Sequence, residues 1–363
     1  MKIGILTFHC AVNYGAVLQT YGLCQCLQRM GHEVYVIDYR PAYLLKPYKV
    51  FSLNRFIAQR CQPIAKRVLR ELLAIPTRLS RQVKFRHFIT RNIPLVQLDL
   101  QHKKHDFDAF VFGSDQIWNP YITQLDPVFF AEAPVFKDAK RITYAASAGS
   151  PEHLRMVKAS DMNLWLNNFQ ALSVREPSLA HFLKENYGVD ASVHIDPVLM
   201  AGKSIMDTIV SPIRYRRPYA LLFTLEDFRS GLPIVEKIAK ERNLEVKIAI
   251  SSLVTLKANH VMQSLSVGAM LGYFKNAAYI VTSSFHGTVL SLLFEKEFTA
   301  FYDSEKVGER IIDLLATLGL KDRIYTSDGQ MDKPIDWKNV NEKIESKRRE
   351  AYHYFQRAFS QAI

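Results

Sequence analysis

Long apolar runs are missing from this 363-residue chain. No window approaches the roughly 18 consecutive apolar residues that a membrane span needs. The opening MKIGILTFH has one lysine and a short apolar run broken by His9, with no cleavage pattern after it. It reads as a first strand and not as a leader peptide. Cysteine is scarce: Cys10, Cys24, Cys26 and Cys61 crowd into the start of the chain, without the paired CxxC or the later histidines of a metal site. They are expected to be structural thiols in a reducing cytoplasm, and no metal is expected. No GxGxxG opens a helix, which excludes the dinucleotide fingerprint. Internal repeats and low-complexity segments are absent too.

What is present suits an ordered globular protein, with 48% hydrophobic and 12% aromatic residues. The length allows two domains. The net charge of +12 is unevenly spread. From Arg55 to Arg91 there are ten Lys/Arg and one acid, Glu71, interleaved with Phe56, Ile57, Ile64, Val68, Leu69, Leu72, Leu73, Phe85 and Phe88. This pattern predicts basic amphipathic helices. Their use stays open between an insertion packed by its apolar face and contact with an anionic membrane or a phosphate-bearing acceptor. Nucleic acid is not an expected partner, because no recognition motif accompanies the charge.

Strand and helix patterns alternate along both halves. Lys2–Phe8 reads as a strand, Ala16–Met30 as a helix and Glu33–Asp38 as a strand, a β-α-β opening that implies parallel pairing. Asp108–Phe112, Arg141–Ser147 and Ala171–Val174 continue the first half. After the basic stretch Lys203–Arg217, strands are expected at Tyr219–Phe223, Val246–Ile250, Ala278–Thr282 and Glu297–Phe301, with final helices at Val307–Leu318 and about Val340–Ala358. The fold class is therefore α/β, with two Rossmann-like domains facing across a cleft. The boundaries expected are 1–168, with a basic helical insertion at about 51–92, then 169–335, then a C-terminal helix over 336–363.

Four polar turns follow strands, where such folds bind ligands. In Phe8-His9-Cys10-Ala11-Val12-Asn13-Tyr14-Gly15-Ala16, small residues let backbone N–H groups approach an anion, although Asn13 as a plain helix cap fits equally. Gly113-Ser114-Asp115-Gln116-Ile117-Trp118-Asn119-Pro120 combines directional hydrogen-bonding groups with an aromatic platform, a sugar-facing set; the alternative is a cap with Trp118 in the core. In Ser173-Val174-Arg175-Glu176-Pro177-Ser178, Arg175 can hold a carboxylate or phosphate bidentately, or else forms a surface pair with Glu176. In VTSSFHGTVLSLLF, His286 stands at a helix start, where the dipole favours an anion and a histidine can move a proton; a capping or core histidine is the alternative.

Together FHCAVNYGAVLQTYGL, GSDQIWNP, RITYAASAG, SVREPS, HIDPVL and TSSFHGTVLSLLF run in the order found in the polysaccharide pyruvyl transferase family, which the chain resembles from residue 1 to about 325. The resemblance implies transfer of pyruvate from phosphoenolpyruvate to a sugar of a surface or capsular polysaccharide or its lipid-linked precursor, as a ketal. It implies domains like those of GT-B glycosyltransferases, and no resident cofactor, since phosphoenolpyruvate is the donor substrate. By the same resemblance Arg175 binds the donor anion, His286 serves as acid or base and phosphate ligand, and Ser283, Ser284 and the N–H groups of Gly287 and Thr288 cradle phosphate oxygens. Arg310 is a further cation. Asn13, Tyr14, Asp115, Gln116 and Asn119 face the acceptor sugar, with Asp115 as second proton-transfer group. One departure stands out: several relatives carry arginine two residues before the histidine, where this chain has Ser284, and Arg310 is the expected replacement. The expected setting is cytoplasmic, with a peripheral contact at the inner membrane face. A glycosyltransferase of the same architecture using a nucleotide sugar, and a non-catalytic glycan-binding protein, are the other readings.

Overall fold

The computed structural model describes residues 1–51, 64–103, 105–225, 227–251, 261–302, 305–326 and 333–360. The first half is a parallel sheet of β1 (Lys2–Leu6), β2 (Glu33–Ile37), β3 (Leu95–Val96), β4 (Ala109–Phe112) and β5 (Lys140–Thr143), in the spatial order β3-β2-β1-β4-β5. Beyond it lie β6 (Ser173–Val174) and β7 (Ser192–Val193). The second half repeats the plan with β8 (Tyr219–Thr224), β9 (Glu245–Ile250), β10 (Val261–Met262), β11 (Tyr279–Thr282) and β12 (Phe298–Ala300), ordered β10-β9-β8-β11-β12. Strands β4, β8 and β11 are buried at every position, as their unbroken apolar runs predict for sheets covered on both faces.

In each sheet the strand order reverses beside the first strand, between β1 and β4 and between β8 and β11. Doubly wound sheets bind ligands at this switch point, past the carboxyl ends of the strands. The two switch points face each other.

The expected boundary at 168/169 does not coincide with a break in the sheet. Strand β6 continues the first sheet: Thr143 N donates to Ala171 O, Ala146 N to Ser173 O, and Arg175 N to Ala146 O, at 3.0, 3.1 and 3.0 Å. The backbone of Arg175 is thereby tied to the edge of the first sheet. Pairing of β5 with β6 across the long 144–170 connection left no local signal. The C-terminal helix Trp337–Ser360 returns to the same half, where Tyr354 Oη donates to Thr143 O at 2.6 Å.

The halves share one apolar core. Ile3, Ile5 and Val111 of the first sheet and Leu221, Phe223 and Ile280 of the second belong to a single buried cluster. Two helices meet inside it: Tyr14–Arg29, capped by Asn13, and Pro197–Met206, capped by Asp196. They cross so closely that a β-carbon on Gly22 would lie 2.7 Å from Pro197 O.

Of the basic region, residues 52–63 lie outside the described residues, and the remainder forms the helix Ile64–Asn92. Cys10, Cys24 and Cys26 are buried free thiols, pushed by burial up to about 11 for Cys10 and about 12 for the other two. Thiols so far from ionisation are poor nucleophiles.

Candidate active site

A cleft of about 490 Å³ lies between the sheets. Its walls come from all four switch-point loops: Phe8, Ala11 and Asn13 after β1, Asp115 and Gln116 after β4, Leu225 after β8, and Ser284, Phe285 and His286 after β11. Arg310, on the helix Glu305–Leu318, completes the wall.

After β1, Asn13 Oδ1 accepts from the N–H groups of Gly15 and Ala16 at 2.9 and 3.3 Å, so it caps the helix while lining the cleft. Tyr14 does not face an acceptor. It is 1% exposed, its hydroxyl donates to Leu265 O at 2.9 Å, and the Arg81 guanidinium lies 5.0 Å from its ring. The helical turn that begins there rotates the side chain into the core.

After β4, Asp115 adopts the left-handed backbone region, with φ of 75°, and its Oδ1 accepts from Gln116 N at 2.8 Å. Asn119 turns inward instead of toward a sugar. Its Nδ2 donates to Gln116 Oε1 at 2.7 Å and its Oδ1 caps the helix Pro120–Thr123 through Tyr121 N at 2.9 Å. Trp118 is no platform either: it is fully buried, stacks on Phe130 at 5.8 Å, and donates to Phe129 O. Apolar residues on every side made the core the better place for the largest ring. The tyrosines that line the cleft are Tyr43, Tyr48 and Tyr121, beside Phe8 and Phe285.

After β11, Ser284 caps the helix Phe285–Leu293, its Oγ accepting from Gly287 N at 3.3 Å. Thr288 N donates to Ser284 O at 2.9 Å. The N–H groups of Gly287 and Thr288 are thus engaged within the turn and do not cradle an anion. The orphan donors of this helix start belong to Phe285 and His286. Ser283 is half-buried in the same turn. His286 Nδ1 is packed against the first half so tightly that a β-carbon on Gly15 would lie 2.1 Å from it.

Beneath the cleft the charges converge. Arg175 is buried and is no surface pair: Nε donates to Glu176 Oε1 at 2.8 Å and one terminal nitrogen to Asp196 Oδ2 at 3.1 Å. Asp196 Oδ2 also lies 3.4 Å from His286 Nε2, while Oδ1 accepts from Val198 N at 2.9 Å. Burial pushes the Asp196 carboxyl up, but His286 and Arg175 outweigh it and hold the group below the usual carboxylate range. Burial likewise works against the Arg175 cation, and Glu176, Asp196 and Asp115 more than offset it. Arg310 has less compensation: burial and then the Arg175 charge lower it. Phe285 lies between the two guanidiniums, 4.2 Å from Arg175 and 5.7 Å from Arg310. Two donors there, a terminal nitrogen of Arg175 and Nε of Arg310, are buried with no hydrogen-bond partner in the protein, and Nε2 of His286 meets the Asp196 carboxylate only at 3.4 Å. Such groups call for an anion.

Asp196 is the residue that reading the sequence missed. Asp-Pro before an apolar run signals a helix cap, which it is; nothing local shows that its second oxygen meets Arg175 and His286. Among the described residues no group of His, Cys, Asp and Glu side chains could hold a metal ion.

The family described as polysaccharide pyruvyl transferase matches the chain over residues 13–305. No curated protein sequence matches it. Among solved structures, a putative UDP-N-acetylglucosamine 2-epimerase from Listeria monocytogenes superposes with a TM-score of 0.48 at 9% identity, covering 99% of this chain and 91% of that one. The S. aureus MnaA-UDP co-structure gives 0.47 at 10% identity, with 97% and 90% covered. The E. coli heptosyltransferase WaaC with ADP-2-deoxy-2-fluoro heptose gives 0.37 at 9% identity, with 83% and 89% covered.

Proposed function

The chain belongs to the polysaccharide pyruvyl transferase family, and on that premise we propose that it moves pyruvate from phosphoenolpyruvate onto two hydroxyls of one sugar in a surface glycan or its lipid-linked precursor. One observation carries the reading. Arg175 and Arg310 keep unpartnered buried donors beside His286 at the junction of the two halves, where a small enol ester bearing a carboxylate and a phosphate would satisfy them.

The guanidiniums of Arg175 and Arg310 hold the donor's carboxylate and phosphate, with the N–H groups of Phe285 and His286 at the helix start. Arg310 supplies the charge that Ser284 lacks. His286, positioned by Asp196, protonates the methylene carbon, and the carbon bearing the phosphate becomes oxocarbenium-like. Asp115 accepts the proton of the first sugar hydroxyl as its oxygen bonds to that carbon. Phosphate leaves and the second hydroxyl closes the ring. One hydroxyl proton ends on the new methyl group and the other on phosphate, so the sum needs no oxidant or reductant. Fixed charges around the developing cation and leaving group supply much of the acceleration. Asn13, Gln116 and the tyrosine rim hold the acceptor.

A thermal-shift series tests the donor. Phosphoenolpyruvate at about 100 times its Kd stabilises by about 2.7 kcal/mol through mass action, and a nucleotide sugar should do nothing. Stabilisation by nucleotide sugars alone would replace pyruvyl transfer with glycosyl transfer. Phosphate release on a panel of glycan acceptors tests turnover, and a folded, donor-binding protein that releases none is not an enzyme of this kind.

A further inference from the structure

The helix Ile64–Asn92 is amphipathic in the reverse sense. Its protein side carries Glu71, Arg78 and Arg81, at 2%, 6% and 2% exposure, beside Phe85 and Phe88. Its outer side carries Val68, Leu69, Leu72, Leu73, Leu79 and Val83, exposed by 42–66%. At 3.6 residues per turn these six share one half of the circumference. Apolar faces of soluble helices point inward; here only the C-terminal part does so, with Phe85, Phe88 and Ile89 in the core, while the six residues above stay outside. The reason lies in the polar anchors. Arg81 donates to Gln263 O and Val12 O at 3.1 and 3.3 Å, and Lys84 to Ser264 O at 2.7 Å, which ties the helix to both halves by its charged face.

Two further features bear on what covers the outer face. Glu71, the helix's sole acid, is held by both terminal nitrogens of Arg78 at 2.6 and 3.0 Å and presents no charge outward. Lys46, Lys49, Arg86 and Arg91 are exposed. The helix also adjoins the cleft through its inner side: Arg78 donates to Val50 O and Gln82 to Tyr48 O, at 2.8 and 2.5 Å, and Tyr48 and Lys46 line the cleft wall.

We infer that this outer face docks on an anionic bilayer, its leucines and valines entering the headgroup–acyl boundary and the nearby cations meeting lipid phosphates. Charge complementarity selects lipid over a second copy of the chain, since two copies would bring equal cations together on proteins of net charge +12. Docked this way, the cleft lies beside the membrane surface where a lipid-linked sugar is held; that purpose rests on the reaction proposed above, whereas the binding does not.

Cosedimentation of the full chain with phosphatidylcholine vesicles, with and without phosphatidylglycerol, tests the inference in the absence of substrate. Binding to the anionic vesicles alone is expected, weakening as salt rises. The double variant Leu72→Glu, Leu79→Glu should lose at least about tenfold in vesicle affinity with its melting temperature unchanged. Wild-type protein that ignores anionic vesicles, or a variant that binds them equally well, overturns the inference. So does a wild-type dimer, seen by light scattering, that the variant converts to monomer, because the face then belongs to self-association. Failure of the pyruvyl-transfer reading shows separately, as no phosphate release with vesicle binding intact.

Discussion

Replacing Gly15 by alanine asks whether contact between the halves sets the position of His286. The added β-carbon would lie 2.1, 2.4 and 2.6 Å from Nδ1, Cγ and Cε1 of the imidazole. Unstrained carbon contacts fall at about 3.5–4.0 Å, so the overlap exceeds about 1 Å, and a ring cannot bend a single atom aside. Two stability terms oppose each other: alanine favours the helix by about 0.5–1 kcal/mol over glycine, and overpacking costs about 1–3 kcal/mol. The net loss is small, about 1–2 kcal/mol, a few degrees of melting temperature. Activity should suffer more, because the ring must swing from its place 3.4 Å from Asp196, and about 1 Å of misplacement can cost about 100-fold. The assay is phosphate release from phosphoenolpyruvate beside thermal melts. Gly31→Ala is the control: φ there is +86° and nothing lies within 4 Å, so it should lower the melting temperature by a similar amount and leave kcat/KM alone. G15A within about threefold of wild-type kcat/KM, a barrier change under about 1 kcal/mol, would refute the assignment of His286 as the proton-transfer group in this position.

Arg175→Lys should keep the fold and lose at least about 100-fold in kcat/KM, since one ammonium cannot serve Glu176, Asp196 and a planar anion together; full activity would make Arg175 structural. Asp196→Asn leaves Arg175 and His286 without their shared carboxylate and should cost about 3–5 kcal/mol in urea unfolding; a midpoint unchanged within error would show the cluster to be weakly coupled. His194 predicts a pH effect. Burial pushes its imidazole down to about 4, so the unfolded chain, titrating near 6.5, binds more protons between those values. Stability should therefore fall as pH drops from about 6.5 to about 4, by up to about 3 kcal/mol from this group. His194→Gln should flatten that slope in urea titrations, and an unchanged slope would assign it elsewhere.

Four strands of each sheet were legible as short apolar runs punctuated by polar turns, whereas the two-residue edge strands Leu95–Val96 and Val261–Met262 were too short to show. The four turns singled out do meet at one cleft or directly beneath it. What escaped depended on distance. Asp196 reads as a cap, and only the fold shows its second oxygen between Arg175 and His286. Asn119 and Tyr14 have chemistry suited to sugars, yet a capped helix turned one inward and the core took the other. Tyr43 and Tyr48 line the cleft from a segment that carried no recognised motif, and Tyr121 stands one residue past GSDQIWNP. The basic helix taught the sharpest lesson. Periodicity reveals that a helix has an apolar side but not which side meets the protein; here Arg81 and Lys84 settled the matter through backbone carbonyls near residue 264.

The core that runs unbroken between the sheets has a consequence for inheritance. Gly15 with His286, and Gly22 with Pro197, are close-fitting pairs, the first joining the two halves and the second the helices that begin at Tyr14 and Pro197. An N-terminal half from one relative and a C-terminal half from another would meet along mismatched surfaces. Recombination can therefore exchange loops at the tyrosine rim freely, but the three helices beginning at Tyr14, Pro197 and Phe285 must travel together. New acceptor preferences in such a protein should arise by change at the rim, while the chemistry beneath it is passed on as one block.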